Sequence, residues 1–366
     1  MLKNLKLNDK LIKRIDYGII IAVVLIVLFS IANIYSAIGG YYAKLQFAWL
    51  IVGLVTMYFV ILIDYTLILN YAPLIYWGGV VLLILTEFVL GSEVNGATGW
   101  ISIGSRALQP SEFAKIGMIL MLAKQIQDMD GDVNNVKSVV KLGIYAAIPM
   151  LLIVIAPDMG ITMVCFFMVL GIVVVTNLNW KAIVGGLGGI FLAVVALWNS
   201  PLMKPYWKSR FVAFLNPEQF ELSHGLQLLQ SKIAIGSGGV FGLGFLNGKQ
   251  YKFVPENHTD FIFAVIGEEW GLVGALILLT LYGIILYKSI KIAKTSKDVA
   301  GSIICTGIIG ALMFSIIQNM GMTMGVMPIT GITLPFVSYG GSSMLTNFIS
   351  LGLILNVGIR RKKINF

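Results

Sequence analysis

The side chains able to do chemistry gather at the edges of apolar runs. The segment Val254-Pro255-Glu256-Asn257-His258-Thr259-Asp260 ends against the run that opens with Phe261. A carboxylate at such a border can serve as a general base, because burial raises its proton affinity while nearby cations lower it. The same position also suits plain capping: an Asp at the start of a helix complements the positive end of its dipole, and Thr259 is an ordinary N-cap residue. Spacing alone leaves both readings open. Glu268 and Glu269 follow inside the apolar run, where ionisable groups are costly and face a cavity or a partner. Pairing with a Lys or Arg of a neighbouring helix is the plainer expectation for both.

A second cluster is Gln109-Pro110-Ser111-Glu112-Phe113-Ala114-Lys115. Glu112 and Lys115 are three residues apart and share a helix face. They read equally as an internal ion pair and as a cation held for a phosphate. A third cluster is basic and aromatic, Lys204, Tyr206, Trp207, Lys208, Arg210 and Phe211. Trp, Tyr and long cations favour the membrane interface. Arg210 stands out because a guanidinium binds phosphate bidentately. The stretch Leu226, Leu229 and Ile233, with Gln227, Gln230 and Lys232 opposite, is spaced as an amphipathic interfacial helix. Gly236-Ser237-Gly238-Gly239, then Gly242 and Gly244, lacks the GK[ST] ending of a phosphate loop and reads as a flexible loop. Pro335 to Ser343 carries Ser338 and small residues that let helices approach closely.

The elements that position these groups are membrane helices. The 366 residues are 58% hydrophobic and 12% charged, with mean hydropathy +0.89. Soluble domains carry roughly 25% charged residues, so the bilayer is the solvent. Ten spans are predicted, at 17–37, 45–63, 73–90, 111–127, 142–156, 159–177, 181–199, 260–287, 300–321 and 339–358. The turn Pro157-Asp158-Met159-Gly160 divides the fifth from the sixth. The first run is long enough to span and lacks a small-residue cleavage site, so it reads as a retained helix, not a signal peptide. The expectation is one all-α polytopic domain, with a large extracellular loop at 200–259 between helices 7 and 8.

Charge orients it. Lys3, Lys6, Lys10, Lys13 and Arg14 precede the first span. Lys124, Lys137, Lys141 and Lys181 follow, then Lys288 to Lys297, and Arg360 to Lys363 close the chain. Most of the 26 Lys and Arg therefore fall on one side, which the positive-inside rule makes cytoplasmic together with both termini. The net charge of +9 points to anionic lipid and not to nucleic acid. Segments 91–110, 200–259 and 322–338 then share the outer face. Cys165 and Cys305 lie inside apolar runs and read as small core residues. The two histidines, His224 and His258, form no zinc motif.

Taken together, Gln109 to Lys115, Val254 to Gly267 and Pro335 to Ser343 resemble the SEDS family of shape, elongation, division and sporulation proteins, which includes RodA and FtsW. Asn216-Pro217, Gln227 to Ser231 and Ala234 to Gly239 are similar as well, and the likeness runs from Asp16 to the basic tail. Tyr35-Ser36-Ala37 and Asn319-Met320-Gly321-Met322 lean toward the RodA branch. One departure is Ala156-Pro157-Asp158-Met159-Gly160-Ile161, where relatives read Gln-Pro-Asp-Leu-Gly-Thr.

The resemblance implies a ten-helix glycosyltransferase that polymerises lipid II, with a class B penicillin-binding protein as its crosslinking partner. It puts the essential aspartate on Asp260 and an important tryptophan on Trp100. On this reading Asp260 is the base. Arg210 and Lys115 neutralise pyrophosphate, Glu112 orients Lys115, Trp100 packs on substrate, and His258 and Ser338 line the site. A Mg²⁺ could bridge phosphates, though the sequence holds no metal cage. The rivals are a lipid II flippase, with Glu268, Glu269 and Lys115 lining its path, and a non-catalytic scaffold.

Overall fold

The fold was analysed on a computed structural model, which describes residues 9–94, 97–104, 106–200, 205–215 and 224–361. Lys204 and the pair Asn216-Pro217 lie outside the described residues, as do Lys3, Lys6, Lys362 and Lys363.

In hydrocarbon every backbone N–H and C=O needs an internal partner, and the long apolar runs obey this by becoming helices. In chain order these are α1 (Tyr17–Ile38), α2 (Gly40–Leu62) and α3 (Ala72–Leu85). A wider helical turn, Thr86–Leu90, leads from α3 into a hairpin. Then come α4 (Pro110–Asp128), α5 (Val136–Ile155), α6 (Met159–Val175) and α7 (Trp180–Trp198). The shorter α8 (Pro205–Leu215) and α9 (His224–Gly238) follow, then α10 (Ile262–Lys294), α11 (Val299–Thr323) and α12 (Gly341–Arg360). Seven helices are long and apolar enough to cross a membrane, among the described residues. They are α1, α3 with its added turn, α2, α5, α10, α11 and α12. The apolar α6 is shorter, and α4 carries the charged residues Glu112, Lys115, Lys124 and Asp128.

Helix starts follow local chemistry. Asp158 accepts a hydrogen bond from Ile161 N (3.0 Å) and starts α6 directly after Pro157. Asp298 does the same for α11 through Gly301 N (2.8 Å). Pro110 occupies the first turn of α4, where its missing N–H costs nothing. The helix α11 forms the centre, packed against α4, α6, α10 and α12. Phe167 and Phe314 stack at 4.1 Å across α6 and α11. The helices α2 and α12 pack together, and α1 lies against α2 and α10. At one end Lys288 pairs with Asp16 (2.8 Å), and Arg360 with Asp64 (3.0 Å). The two cysteines are free and buried.

Two segments differ from the sequence reading. The outer segment 91–108, for which the sequence reading named no elements, carries regular structure among the described residues. It forms a three-stranded antiparallel sheet, β1 (Gly91–Val94), β2 (Ala97–Ile103) and β3 (Arg106–Leu108), in the order β1-β2-β3. The β-branched and aromatic residues Thr98, Trp100, Ile101 and Ile103 carry this preference. The glycine-rich stretch after α9 is not a flexible loop. Leu243 N and Gly244 N donate to the carbonyls of Glu268 and Glu269, and Leu272 N and Val273 N donate to those of Gly239 and Val240, all within 3.1 Å. The reason is a break in α10 at Gly271 (φ 59°, ψ −156°). The glycine stretch supplies the partners that the broken helix lacks. Any side chain at Gly242 would lie 2.1 Å from the Glu269 carbonyl.

The helix α9 also corrects its expectation of lying free in the interface. Leu228, Ser231 and Ala234 are buried against the bundle, while Leu226 and Ile233 face outward. Ser231 Oγ donates to Thr323 O (2.8 Å).

Candidate active site

The segment before α10 is held by its carbonyls. Tyr339 N donates to His258 O (2.9 Å), Ser338 Oγ to Thr259 O (2.6 Å), and Asn319 Nδ2 to Asp260 O (2.8 Å). Three consecutive residues are thus pinned by α11 and by the loop that leads into α12. The side chains are left for other work. Thr259 Oγ1 turns back to Glu256 Oε2 (2.8 Å). Phe261 stands at the N-cap position of α10, without a side-chain cap. Neither Thr259 nor Asp260 therefore makes a side-chain capping hydrogen bond to α10.

The Asp260 carboxylate meets Arg210 of α8 over Gly331. A Cβ placed on Gly331 would lie 3.3 Å from Asp260 Oδ2 and 3.5 Å from Arg210 Nη1. Gly331 adopts φ +73°, which a side chain would resist in any case. Burial pushes the Asp260 carboxyl up to about 7. Glu256 adds to the rise, Arg210 opposes it, and Asp158 adds a smaller push. Asp260 is only partly covered, so a bound molecule can reach it. His258 is half-buried, with its ring near those of Tyr42 (6.1 Å) and Tyr339 (6.2 Å). Burial lowers its proton affinity against an opposing pull from Glu256, which favours a neutral imidazole.

Behind this group stands a residue that the sequence reading used only as a turn. Asp158 is buried at the start of α6. It accepts Gln109 Nε2 (2.9 Å) as well as Ile161 N. Burial raises its proton affinity, while Glu112 and Lys115 act on it with opposite sign. Next to it, a Cβ on Gly160 would lie 2.8 Å from Thr330 O, one residue from Gly331. Asp158 therefore links the Asp260 group to α4. The sequence signal was present in Pro157-Asp158, a carboxylate in a turn between two apolar runs.

Glu112 and Lys115 pair at 3.0 Å, both largely buried. Thr346 Oγ1 donates to Glu112 Oε2 (2.7 Å). They line a cavity of about 30 Å³ with Ser315, Thr346, Asn347 and Ser350. A water needs roughly 10–15 Å³ of such space, so the cavity takes a couple of waters and no sugar. The ion-pair reading thus holds in geometry, and Lys115 reaches a ligand only if its surroundings move.

Of three further site expectations, those for Ser338 and for the glutamate pair need correction. Ser338 is buried, and its hydroxyl is used twice, accepting from Leu334 N (2.7 Å) and donating to Thr259 O. It braces the Asp260 segment and does not point at open space. Trp100 stands on the central strand β2, opposite Ser92, on a different element from the carboxylate group. Glu268 and Glu269 do not pair with cations. Glu268 accepts the N–H groups of Lys249 (2.6 Å), Gln250 (2.8 Å) and Tyr251 (2.6 Å). Glu269 accepts from Ser36 Oγ and from Leu246 N (3.1 Å). Length gives the reason. The 33 residues of α10 exceed the roughly 20 needed to span. Counted from Lys291 at the far end, about 20 residues reach Gly271, so a span's length is complete before the two glutamates. Among the described residues no three His, Cys, Asp or Glu side chains converge as a metal cage.

With this geometry in place, the comparisons decide the family. The family model for FtsW, RodA and SpoVE, described as cell cycle proteins, matches residues 10–363. The chain belongs to this family. It is a SEDS protein of the RodA-like kind, a multi-pass membrane glycosyltransferase. It is 34% identical to the peptidoglycan glycosyltransferase RodA of Treponema pallidum, over 94% of this chain and 98% of that protein. To the peptidoglycan glycosyltransferase MrdB of Escherichia coli K12 it is 33% identical, over 96% and 95%. Among solved structures it is similar to a peptidoglycan synthase complex that coordinates polymerisation and crosslinking (TM-score 0.82, 31% identity, 94% of this chain and 97% of that one). It is also similar to the rod shape determining protein RodA of Thermus thermophilus (TM-score 0.73, 29% identity, 95% and 98%). The SEDS fold thus brings Asp260, Arg210 and Asp158 together around Gly331.

Proposed function

We propose that this SEDS protein is a peptidoglycan polymerase that joins lipid II units on the outer face of the cytoplasmic membrane, with ten helices crossing and both termini inside. The observation that carries this is the carboxylate of Asp260, facing a guanidinium at a partly covered border of the membrane. An undecaprenyl pyrophosphate donor already holds a good leaving group. It needs charge stabilisation more than a general acid, whereas many glycoside hydrolases need two carboxylates for a poor one.

Asp260 takes the proton of the acceptor 4-hydroxyl as that oxygen bonds to C1 of the donor sugar. The bond from C1 to pyrophosphate breaks on the opposite face, and the pyrophosphate leaves with the electron pair. An α-linked donor so becomes a β-1,4 link. A base that titrates near 7 suits this role, since efficiency is greatest when the pKa lies close to working pH. Arg210 neutralises the leaving pyrophosphate. Lys115, oriented by Glu112, is the second cation, Trp100 packs on substrate, and His258 borders the acceptor. No step is routed through Mg²⁺. The similarity to a synthase complex supports a class B penicillin-binding protein as partner.

The test is glycan polymerisation by the purified chain with its partner, supplied with lipid II. Asp260→Ala should make no detectable glycan, and unchanged chain formation would remove Asp260 from the chemistry. The flippase alternative is addressed by the same assay in detergent, where polymer can form although there is no membrane to cross.

A further inference from the structure

Asn319 lies in α11, one of the most enclosed helices, and is itself fully buried. Its amide has two N–H bonds, and both are committed. One goes to Asp260 O (2.8 Å), the other to Ile332 O (2.7 Å). The first partner carries the carboxylate. The second follows Gly331, the residue over which Asp260 and Arg210 meet. One side chain therefore spans the two strips of backbone that form the cleft. Both partners are carbonyls, so only the amide nitrogen can face them. Neither strip has regular structure at this point, so without Asn319 their spacing is set by the neighbouring bonds of Ser338 to Thr259 and Tyr339 to His258.

We infer that Asn319 is a positioning residue, which locks the Asp260 segment to the Gly331 turn and so holds the carboxylate against Arg210. The inference rests on Asp260 being the base of the proposed reaction. Groups facing that carboxylate are Glu256 of its own segment, Arg210 of α8 and Asp158 at the start of α6. Misplacement of a reacting group by about 1 Å costs up to ~100-fold in rate. Releasing the segment also lets water reach Asp260, which removes the largest cause of its raised proton affinity.

The experiment measures lipid II polymerisation against pH by the full chain with its partner, for wild type, Asn319→Ala, Asn319→Asp and Asn319→Ser, with thermal unfolding alongside. Asn319→Asp keeps the shape but offers no donor when ionised, and Asn319→Ser keeps one. For Asn319→Ala and Asn319→Asp, kcat should fall about 10- to 100-fold with KM within about threefold, and the acid limb of the rate should move to lower pH. Asn319→Ser should fall between these and wild type. The limb position does not depend on how much protein is folded, so a simple loss of folded enzyme cannot imitate its shift. A limb that stays at its wild-type pH in every variant that folds, whatever the change in kcat, overturns the inference. Asp260→Ala separates the two claims: if it still polymerises, the reading of the site falls. If it is inactive while the Asn319 limb is fixed, only the inference falls.

Discussion

Two carboxylates eight residues apart, Asp260 and Glu268, end in opposite situations. Glu268 is fully buried and receives three backbone N–H groups from residues 249–251. A carboxylate so surrounded is fastened, and it fastens in turn the short helical turn Gln250–Phe253 to α10. Asp260 is held only through its main chain. Its carboxylate is left with charged neighbours, burial and an open side. The pair shows how one polar segment divides its labour. Saturated acceptors build the wall, and a carboxylate kept out of the backbone network is left available for the proposed chemistry.

The largest effect that would sharpen this contrast is on rate. Asp260→Asn should lower kcat by about 10²- to 10⁴-fold while the fold survives. The sign for stability follows from the direction of the shift. The carboxyl titrates higher folded than unfolded, so ionising it costs the folded state between the usual carboxylate range and about pH 7. Thermal unfolding at neutral pH should therefore show Asp260→Asn at least as stable as wild type. A clear loss of stability would make Asp260 a structural acceptor after all.

Glu268→Ala should do the reverse. Three N–H groups lose their partner, and the buried one, on Tyr251, alone costs about 1–3 kcal/mol, so folded yield and melting temperature in detergent should drop. A stable but inactive Glu268→Ala would break the division. A smaller effect is the pH profile of wild type. The base must be ionised, so the rate should climb with pH through about 7. A profile flat from pH 5 to pH 8 would contradict it. The smallest is Ser36→Ala, which takes one hydroxyl from Glu269. It should cost about 1 kcal/mol in unfolding experiments and leave kcat unchanged.

Much of the fold was legible because lipid leaves the chain few choices. Apolar runs of span length had to become helices, and Asp158 after Pro157 had to start one. The candidate carboxylate was legible as well, since an Asp where a polar segment meets an apolar run is conspicuous. What could not be read was the state of each polar group. Sequence separation hides that Ser338 would be used twice, that Glu268 would find amides in place of a cation, or that Asn319 would grip Asp260. The sheet at 91–108 carried a legible signal in Trp100, Ile101 and Ile103, which a reading built on long apolar runs passes over. The glycine run misled because flexibility and close approach demand the same residue, and only the break in α10 tells them apart.

That break has a consequence for biogenesis. A helix interrupted at Gly271 leaves backbone groups without helical partners, and each would cost several kcal/mol if left bare beside hydrocarbon. The remedy, residues 239–244, leaves the ribosome before α10 does. The splint is thus already waiting when the broken helix emerges, and the two pieces insert as a single unit. Shortening the stretch by even one residue would misalign four backbone contacts at once.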